Sequence, residues 1–170
     1  ELAETIPPGS EGLLVLPFGN GAERMLENKD PGAAFVHLNF NMHTASHLIR
    51  AAHEGIVFSF AYGIEIMNQV GISPSVIRAG NANMFLSPVF RKSLSTLTNA
   101  RIELYDTDGS QGAARGAGIG AGIYKNYAEA FSHLHKIGSI EPDASIRPAL
   151  EEAYNQWKQS LENYIGKSIT

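Results

Sequence analysis

Residues 80–83, Gly-Asn-Ala-Asn, stand between a predicted buried strand over 75–80 and a predicted helix that begins near residue 88. The helix has a favourable start, with Ser87 as N-cap and Pro88 at its first position. Small residues let backbone N–H groups approach a ligand closely, and a helix N-terminus favours an anion such as a phosphate. The spacing therefore fits a nucleotide-binding turn. A turn that uses Gly80 for its geometry alone is the alternative.

Six glycines crowd the segment over 109–122, most of which is predicted as a helix over 111–124. Glycine in a helix interior costs about 0.5–1 kcal/mol relative to alanine. We therefore expect this helix to pack closely against another backbone, or else to leave room for a flat ligand. Gly116-Ala117-Gly118 with Ala121 fits the alanine variant of the dinucleotide fingerprint, but that fingerprint opens directly after a strand and this run lies inside the helix. We exclude a dinucleotide-binding site on that ground.

The histidines indicate a metal site less strongly than residues 80–83 indicate a nucleotide-binding turn. His43 and His47 lie four residues apart at a predicted helix start, with His37 before them and His53 after them. No HExxH glutamate and no Cys assists them, and His53 would face away from His47 on the helix. We expect no metal site. Without a Ser in a G-x-S-x-G context and without Cys, covalent hydrolases are excluded as well.

The amino-acid composition excludes several classes of protein. The 170 residues are 44% hydrophobic, carry a formal net charge of -4 and include no Cys. A sizeable core is expected, and no apolar stretch reaches the roughly 20 residues that span a bilayer. Mild acidity without a basic block argues against nucleic acid as a partner, and the lack of Cys and of a signal peptide favours the cytoplasm. Charged residues make up 18%, against about 25% in a typical domain, and the chain starts at Glu1. Both features fit a piece of a larger protein with one face uncovered, and they fit equally a processed N-terminus with ordinary variation in composition.

Strands and helices alternate along the sequence. Apolar runs predict strands over 12–17, closed by Pro17, and over 33–38, 75–80 and 101–105. Periodicity and caps predict helices over 44–71, 88–97 and 111–124, with further helices over 128–135 and 146–165. Gly55 and Gly63 in the first helix are expected to mark the close approach of another backbone. The alternation indicates a single α/β domain over 1–170 with a helical tail from about residue 128.

Four segments in a fixed order carry a family resemblance. They are PPGSEGLLVLPFGNGAER (7–24), GAAFVHLNFNMHTASHLIRAAHEGIVFSF (32–60), IRAGNANMFLSPVFRKSL (77–94) and DGSQGAARGAGIGAG (108–122). Together they resemble the C-terminal half of sugar kinases of the FGGY carbohydrate kinase family. The resemblance covers essentially the whole chain. It implies an actin-like ATPase (ribonuclease H-like) lobe, with a mixed sheet flanked by helices and a helical C-terminal extension.

The resemblance also implies which residues bind the nucleotide. They are Gly80, Asn81, Ala82, Asn83, Met84, Gly112 and Ala113. The first three would let the nucleotide approach, Asn83 or Met84 would border the adenine, and Gly112 and Ala113 would begin a helix that packs near the pocket and joins the lobes. The sequence departs from the family at Asn81, where glycine is usual, and at residues 21–26, where the family commonly has Gly-Glu-Arg-Thr-Pro.

The activity that the resemblance implies is ATP-dependent phosphorylation of a pentulose, with D-xylulose as the expected substrate, D-xylulose 5-phosphate as the product, and ATP and Mg as cofactors. The family's catalytic Asp and its phosphate-binding Gly-Thr-Ser turn fall before Glu1, so we expect no catalytic residue and no metal ligand on this chain. The chain alone should bind ATP or ADP weakly without turnover. Its expected partners are the sugar, ATP and its own N-terminal lobe, and a homodimer is one expected assembly. A kinase for another sugar or polyol, or a noncatalytic nucleotide-binding or interaction module, is the alternative.

Overall fold

A computed structural model describes residues 2–167, in which strands and helices alternate. The strands are β1 (Leu14–Phe18), β2 (Gly32–Val36), β3 (Val76–Gly80), β4 (Arg101–Tyr105) and β5 (Lys136–Ile140). The helices are α1 (Ala45–Gln69), α2 (Pro88–Thr98), α3 (Gly109–Gly120), α4 (Tyr127–Ala130) and α5 (Arg147–Lys167). Within the described range, no helix has the length and apolar character needed to cross a membrane. The α/β class is confirmed; Glu1 and residues 168–170 of the predicted domain lie outside the described residues.

Two sheets form, and the second positions the predicted nucleotide turn. β1 and β2 pair antiparallel, and Pro17 lies within β1 rather than closing it, which a strand paired on one side tolerates. In the other sheet β4 lies between β3, with which it is parallel, and β5, with which it is antiparallel. The parallel register places Gly80 opposite Tyr105, so the carboxyl ends of β3 and β4 lie side by side.

The predicted helix over 128–135 is confirmed as far as Ala130 and is wrong beyond it. Only α4 is helical there, and the chain then turns and enters β5, which pairs with β4 along its edge. Two hydrogen bonds fix this turn, from the Asp106 N–H to the His135 carbonyl (3.1 Å) and from the His135 N–H to the Asp106 carboxylate (2.7 Å). Pairing with a distant strand outweighs local propensity in this segment, which is why periodicity missed the strand.

The core is built around Trp157 of α5. Its indole N–H donates to the carbonyl oxygen of Val15 in β1 at 2.8 Å, and its ring contacts those of Phe18 and Phe58 at centroid distances of 5.9 Å and 6.1 Å. Trp157 is fully buried. The predicted C-terminal helix is therefore confirmed, and it is an integral part of the core rather than an appendage to it.

Helix α1 holds the N-terminal segment in place with a buried ion pair. Arg50 Nε donates to the Glu54 carboxylate at 2.7 Å, and both side chains are almost wholly enclosed. Glu54 also accepts from the Gly9 N–H and the Ser10 hydroxyl, while Arg50 donates to the carbonyls of Ala3 and Ile6. Because each charge is paired and hydrogen-bonded, the lead-in before β1 is fixed against α1.

The two glycines singled out in α1 differ in their surroundings. A Cβ on Gly55 would collide with the carbonyl group of Val15, so the predicted close approach of a backbone is confirmed there. At Gly63 a Cβ would meet no atom of the described residues within 4 Å, so the same prediction is wrong. Local sequence does not separate the two positions, because only the packing of β1 on α1 distinguishes them.

The prediction that the glycine-rich helix packs against another backbone is also wrong for the part of the chain that the structure describes. Cβ atoms at Gly112, Gly116 and Gly120 would meet nothing within 4 Å there, and Gly118 contacts a side chain, the Tyr124 ring. The helix also begins and ends earlier than predicted, because Asp108 caps its first turn and the chain turns off after Gly120. The described residues instead leave open space along α3 at these three glycines.

Candidate functional site

The loops that follow β3 and β4 lie against each other at the carboxyl edge of the sheet. The backbone N–H groups of Asn81 and Thr107 both donate to the carbonyl oxygen of Tyr105, each at 2.9 Å. In open α/β sheets, ligands bind beyond the carboxyl ends of the strands. The structure thus brings the predicted turn over 80–83 to the loop that leads into α3, where Gly112 and Ala113 lie.

Gly80 has a structural reason to be glycine. A Cβ there would collide with the carbonyl oxygen of Thr107 and crowd the Cα of Asp108. The absence of a side chain is therefore required by the packing of the two loops, whether or not a ligand approaches. This is the geometric alternative considered for Gly80, and it accounts for the residue.

Asn81 and Asn83 leave their side-chain amides exposed to solvent. Asn83 adopts a left-handed conformation (φ 52°), which asparagine tolerates better than most residues, and it opens a 3-10 turn over Asn83–Leu86. Ala82 and Met84 are partly buried, and Met84 packs against the hydrophobic core. The turn therefore offers two amides with an apolar side chain beside them, a combination suited to a heterocyclic base or a ribose.

A cavity adjoins this turn. Asn83 and Met84 line it together with Ser87 at the start of α2 and with Ile49 and His53 of α1, and its volume is about 360 Å³. On the other side, Gly112 and Ala113 lie in the first turns of α3, with Ala113 exposed and open space above Gly112 among the residues described. The cavity thus borders the turn on the side of α1 and α2, and the open space above Gly112 lies on α3 itself.

Both helix N-termini at the site are capped by their own side chains. Asp108 Oδ1 accepts from the Gln111 N–H at 2.9 Å, and Ser87 Oγ accepts from the Phe90 N–H at 3.3 Å. The hydrogen bond from Gln111 is the main cause that holds the pKa of Asp108 below its ordinary value, so its carboxylate is charged at neutral pH. A phosphate at the start of α3 would meet this negative charge. The described residues therefore suit adenosine better than a triphosphate.

Two residues at this edge were missed by sequence reasoning, Thr107 and Arg115. Arg115 Nη1 donates to Thr107 Oγ1 at 2.8 Å, which ties α3 to the loop after β4. The Asp-x-x-Gln spacing over 108–111 was a usable signal for the start of α3. No local pattern marks the Arg115 contact, because its partner lies eight residues earlier across the loop.

A charge cluster on the three-stranded sheet was not predicted from the sequence. Glu103 lies among Lys136 (2.9 Å), Arg78 (3.2 Å), Arg101 (3.4 Å) and the Tyr105 hydroxyl (3.1 Å). Hydrogen bonds from Lys136 and then Arg78 are the largest causes that lower the pKa of Glu103 to about 2. This cluster joins all three strands, and it lies along the sheet rather than at its carboxyl edge.

His43 and His47 come together, with ring centroids 5.4 Å apart, but they serve the start of α1. His47 Nδ1 accepts from the Thr44 N–H at 3.1 Å, and His43 Nδ1 accepts from the Asn39 N–H at 3.0 Å. The Nε2 atoms of both rings approach Glu11. Within residues 2–167, no group of three or more His, Cys, Asp or Glu residues has the arrangement of a metal site.

Comparison with known proteins finds sugar kinases. The chain is 28% identical over 169 residues to xylulose kinase of Haemophilus influenzae, covering 95% of this chain and 33% of that protein. It is also 28% identical over 160 residues to L-xylulose/3-keto-L-gulonate kinase of Escherichia coli, covering 92% of this chain and 31% of that protein. No protein-family model matches the chain.

Solved structures with a similar fold bear kinase names as well. The crystal structure of xylulose kinase from Rhodospirillum rubrum superposes with a TM-score of 0.80 at 21% identity, covering 99% of this chain and 34% of that chain. The chain thus spans about a third of the length of the proteins it matches. These matches confirm the resemblance to a C-terminal fragment of FGGY carbohydrate kinases and the actin-like ATPase fold.

Proposed function

We propose that this chain is the nucleotide-binding lobe of an ATP-dependent sugar kinase and that it binds the adenosine part of ATP. The observation that carries the proposal is the contact between the loops after β3 and β4, which brings the turn with the exposed residues Asn81 and Asn83 to the loop that leads into α3. The similarity to proteins named as kinases over more than nine tenths of the chain supports it.

Each residue of the site has a separate part in this proposal. Asn83 presents an amide that donates to and accepts from the edge of the adenine, and Met84 forms the apolar border of the base. Gly80, Asn81 and Ala82 bring the backbone close to the nucleoside, and Gly112 and Ala113 leave room for it on the side of α3. The chain therefore holds and orients ATP, which is one half of what phosphoryl transfer requires.

The triphosphate and Mg fit these residues less well than adenosine does. Asp108 and Ser87 already cap the helix N-termini, and in the described part of the chain no cluster of acidic or His residues could hold a metal. When bound, Mg-ATP supplies the transferred phosphoryl group and the charge neutralisation. We assign the phosphates, Mg and the catalytic base to an N-terminal lobe of the same protein, which would close on this one to exclude water.

The proposed substrate of the whole protein is a pentulose, with D-xylulose first because relatives and structural neighbours bear the name xylulose kinase. The second candidate is another sugar or sugar acid, since the E. coli relative is named for L-xylulose and 3-keto-L-gulonate. We place the protein in the cytoplasm, as a monomer or a homodimer. A noncatalytic nucleotide-binding module remains the alternative from a different class.

A coupled kinase assay on the full-length protein tests the activity. ADP production should depend on D-xylulose and should exceed that with L-xylulose, gluconate or glycerol, while the 170-residue chain alone should bind ADP, with or without Mg, and show no turnover. ADP production by the full-length protein that does not depend on any of these substrates would contradict the kinase proposal. Turnover by the chain alone would contradict the assignment of the catalytic base to another lobe.

A further inference from the structure

Arg115 is the one charged residue of α3, whose other eleven residues are Gly, Ala, Ser, Gln and Ile. Its side chain is held at three points. Nη1 donates to Thr107 Oγ1 at 2.8 Å, Nη2 donates to the Gln111 amide oxygen at 3.4 Å, and the guanidinium lies over the Phe131 ring at 5.8 Å from its centroid. Because hydrogen bonds hold both Nη atoms and an aromatic ring lies against the planar group, the guanidinium of Arg115 has one preferred position.

Thr107 connects Arg115 to the nucleotide turn. Its backbone N–H and that of Asn81 donate to the same carbonyl oxygen, that of Tyr105. Its own carbonyl oxygen packs against the Cα of Gly80. The backbone of Thr107 therefore packs against the start of the turn, and the contact leaves no space there for a side chain on Gly80.

Arg115 also acts on the start of α3. Its positive charge adds to the effect of the Gln111 N–H, which is the larger one, in keeping the pKa of Asp108 low. The Thr107 hydroxyl can donate to the Asp108 carbonyl (3.4 Å) while it accepts from Arg115. The guanidinium therefore contacts the loop directly and acts on the cap through its charge, although it lies two turns into the helix.

We propose that Arg115 is a positioning residue that fixes the Asn81–Met84 turn through Thr107 and so sets the affinity for the nucleoside. The effect on nucleoside affinity rests on the proposed function, whereas the positioning of the turn rests on the contacts of Thr107 alone. It explains why a helix made almost wholly of small residues carries one arginine, and why that arginine faces the sheet edge. Arg115 touches no nucleotide in this scheme.

Amide NMR on the ligand-free chain tests the cause. In Arg115→Gln and Thr107→Val, the amide resonances of Asn81 and Ala82 should move and their hydrogen exchange should accelerate. Thr107→Ser keeps the hydroxyl and should restore the wild-type pattern. The matched control is Arg101→Gln, which removes an arginine from the opposite end of β4. Unmoved amides of the turn in both Arg115→Gln and Thr107→Val would overturn the inference, whatever the chain does with ADP.

Calorimetric titration of ADP tests the consequence. Arg115→Gln and Thr107→Val should each bind ADP about five- to tenfold more weakly, and the double variant should be no weaker than either one, because both remove the same contact. Arg101→Gln should bind as the wild type does. Equal affinity of Arg115→Gln and wild type would overturn the role in nucleotide binding, whereas a wild-type chain that binds no ADP would refute the proposed function and leave the amide experiment to decide the coupling.

Discussion

The carbonyl oxygen of Thr107 packs directly against the Cα of Gly80, so the loops after two neighbouring parallel strands touch at the carboxyl edge of the sheet. Backbone contact of this kind leaves no space for a side chain. It fixes the distance between the turn that carries Asn81 and the loop that leads into α3. The candidate adenosine site depends on that distance.

Gly80→Ala should destabilise the chain by about 1–3 kcal/mol, because the new methyl group collides with backbone atoms of Thr107 that cannot rotate away. The matched control is Gly112→Ala, at which the described residues leave open space and alanine is the better helix former. Urea unfolding measures both. Equal stability of the two variants would contradict the loop contact.

Gly55→Ala and Gly63→Ala should have opposite effects on stability, although both lie in α1 eight residues apart. A methyl group at Gly55 meets the carbonyl of Val15, and we expect a loss of about 1–3 kcal/mol. At Gly63, where the described chain leaves space, alanine should add about 0.5–1 kcal/mol through helix propensity. Thermal unfolding distinguishes them, and destabilisation by both would show that Gly63 also faces a close neighbour.

Trp157→Phe should lower the free energy of unfolding by about 2–4 kcal/mol. The change removes the hydrogen bond to the Val15 carbonyl, leaves that buried oxygen without its indole partner, and opens space among aromatic rings. Gln159→Ala, at an exposed position two residues later, is the control and should change stability by less than about 0.5 kcal/mol. A mild effect of Trp157→Phe would contradict the stabilising role of the indole hydrogen bond and of its packing among the rings.

Glu103 should make stability depend on pH in the acid range. Hydrogen bonds from Lys136 and Arg78 lower its pKa from 4.5 to about 2 in the folded chain, so the stability it contributes is fully present above pH 4.5 and is lost as the pH falls towards 2. The difference in unfolding free energy between wild type and Glu103→Gln should therefore be largest at neutral pH and shrink below pH 4.5. Denaturant unfolding at several pH values measures it. A difference that stays constant down to pH 2.5 would contradict the low pKa.

Much of the fold followed from local signals. Ser87-Pro88 and Asn99 mark the start and the end of α2, and the strand predicted over 101–105 is confirmed as Arg101–Tyr105. The sequence could not reveal β5, because Lys136–Ile140 has little strand character of its own and forms by pairing with β4. Contacts between distant segments decide such a strand.

In the candidate site, too, some residues could be predicted from the sequence and others could not. Residues 80–83 and the glycines of α3 could be found from their types and from the family resemblance. Thr107 and Arg115 could not, although Arg115 lies in one of the segments that carry the resemblance, because their importance comes from one hydrogen bond across a loop. Gly55 and Gly63 of α1 are a further example. Both are helix-interior glycines in the sequence, and only the position of Val15 shows that Gly55 is closely packed.

The central claim is that adenosine binds between the Asn81–Met84 turn and the start of α3. Its most direct test is calorimetric titration of ADP into the 170-residue chain and into Asn83→Gly, which keeps the left-handed conformation and removes the amide. We predict saturable binding by the wild type and at least about tenfold weaker binding by the variant. No saturable binding by the wild type, or equal affinity in the two, would contradict the claim.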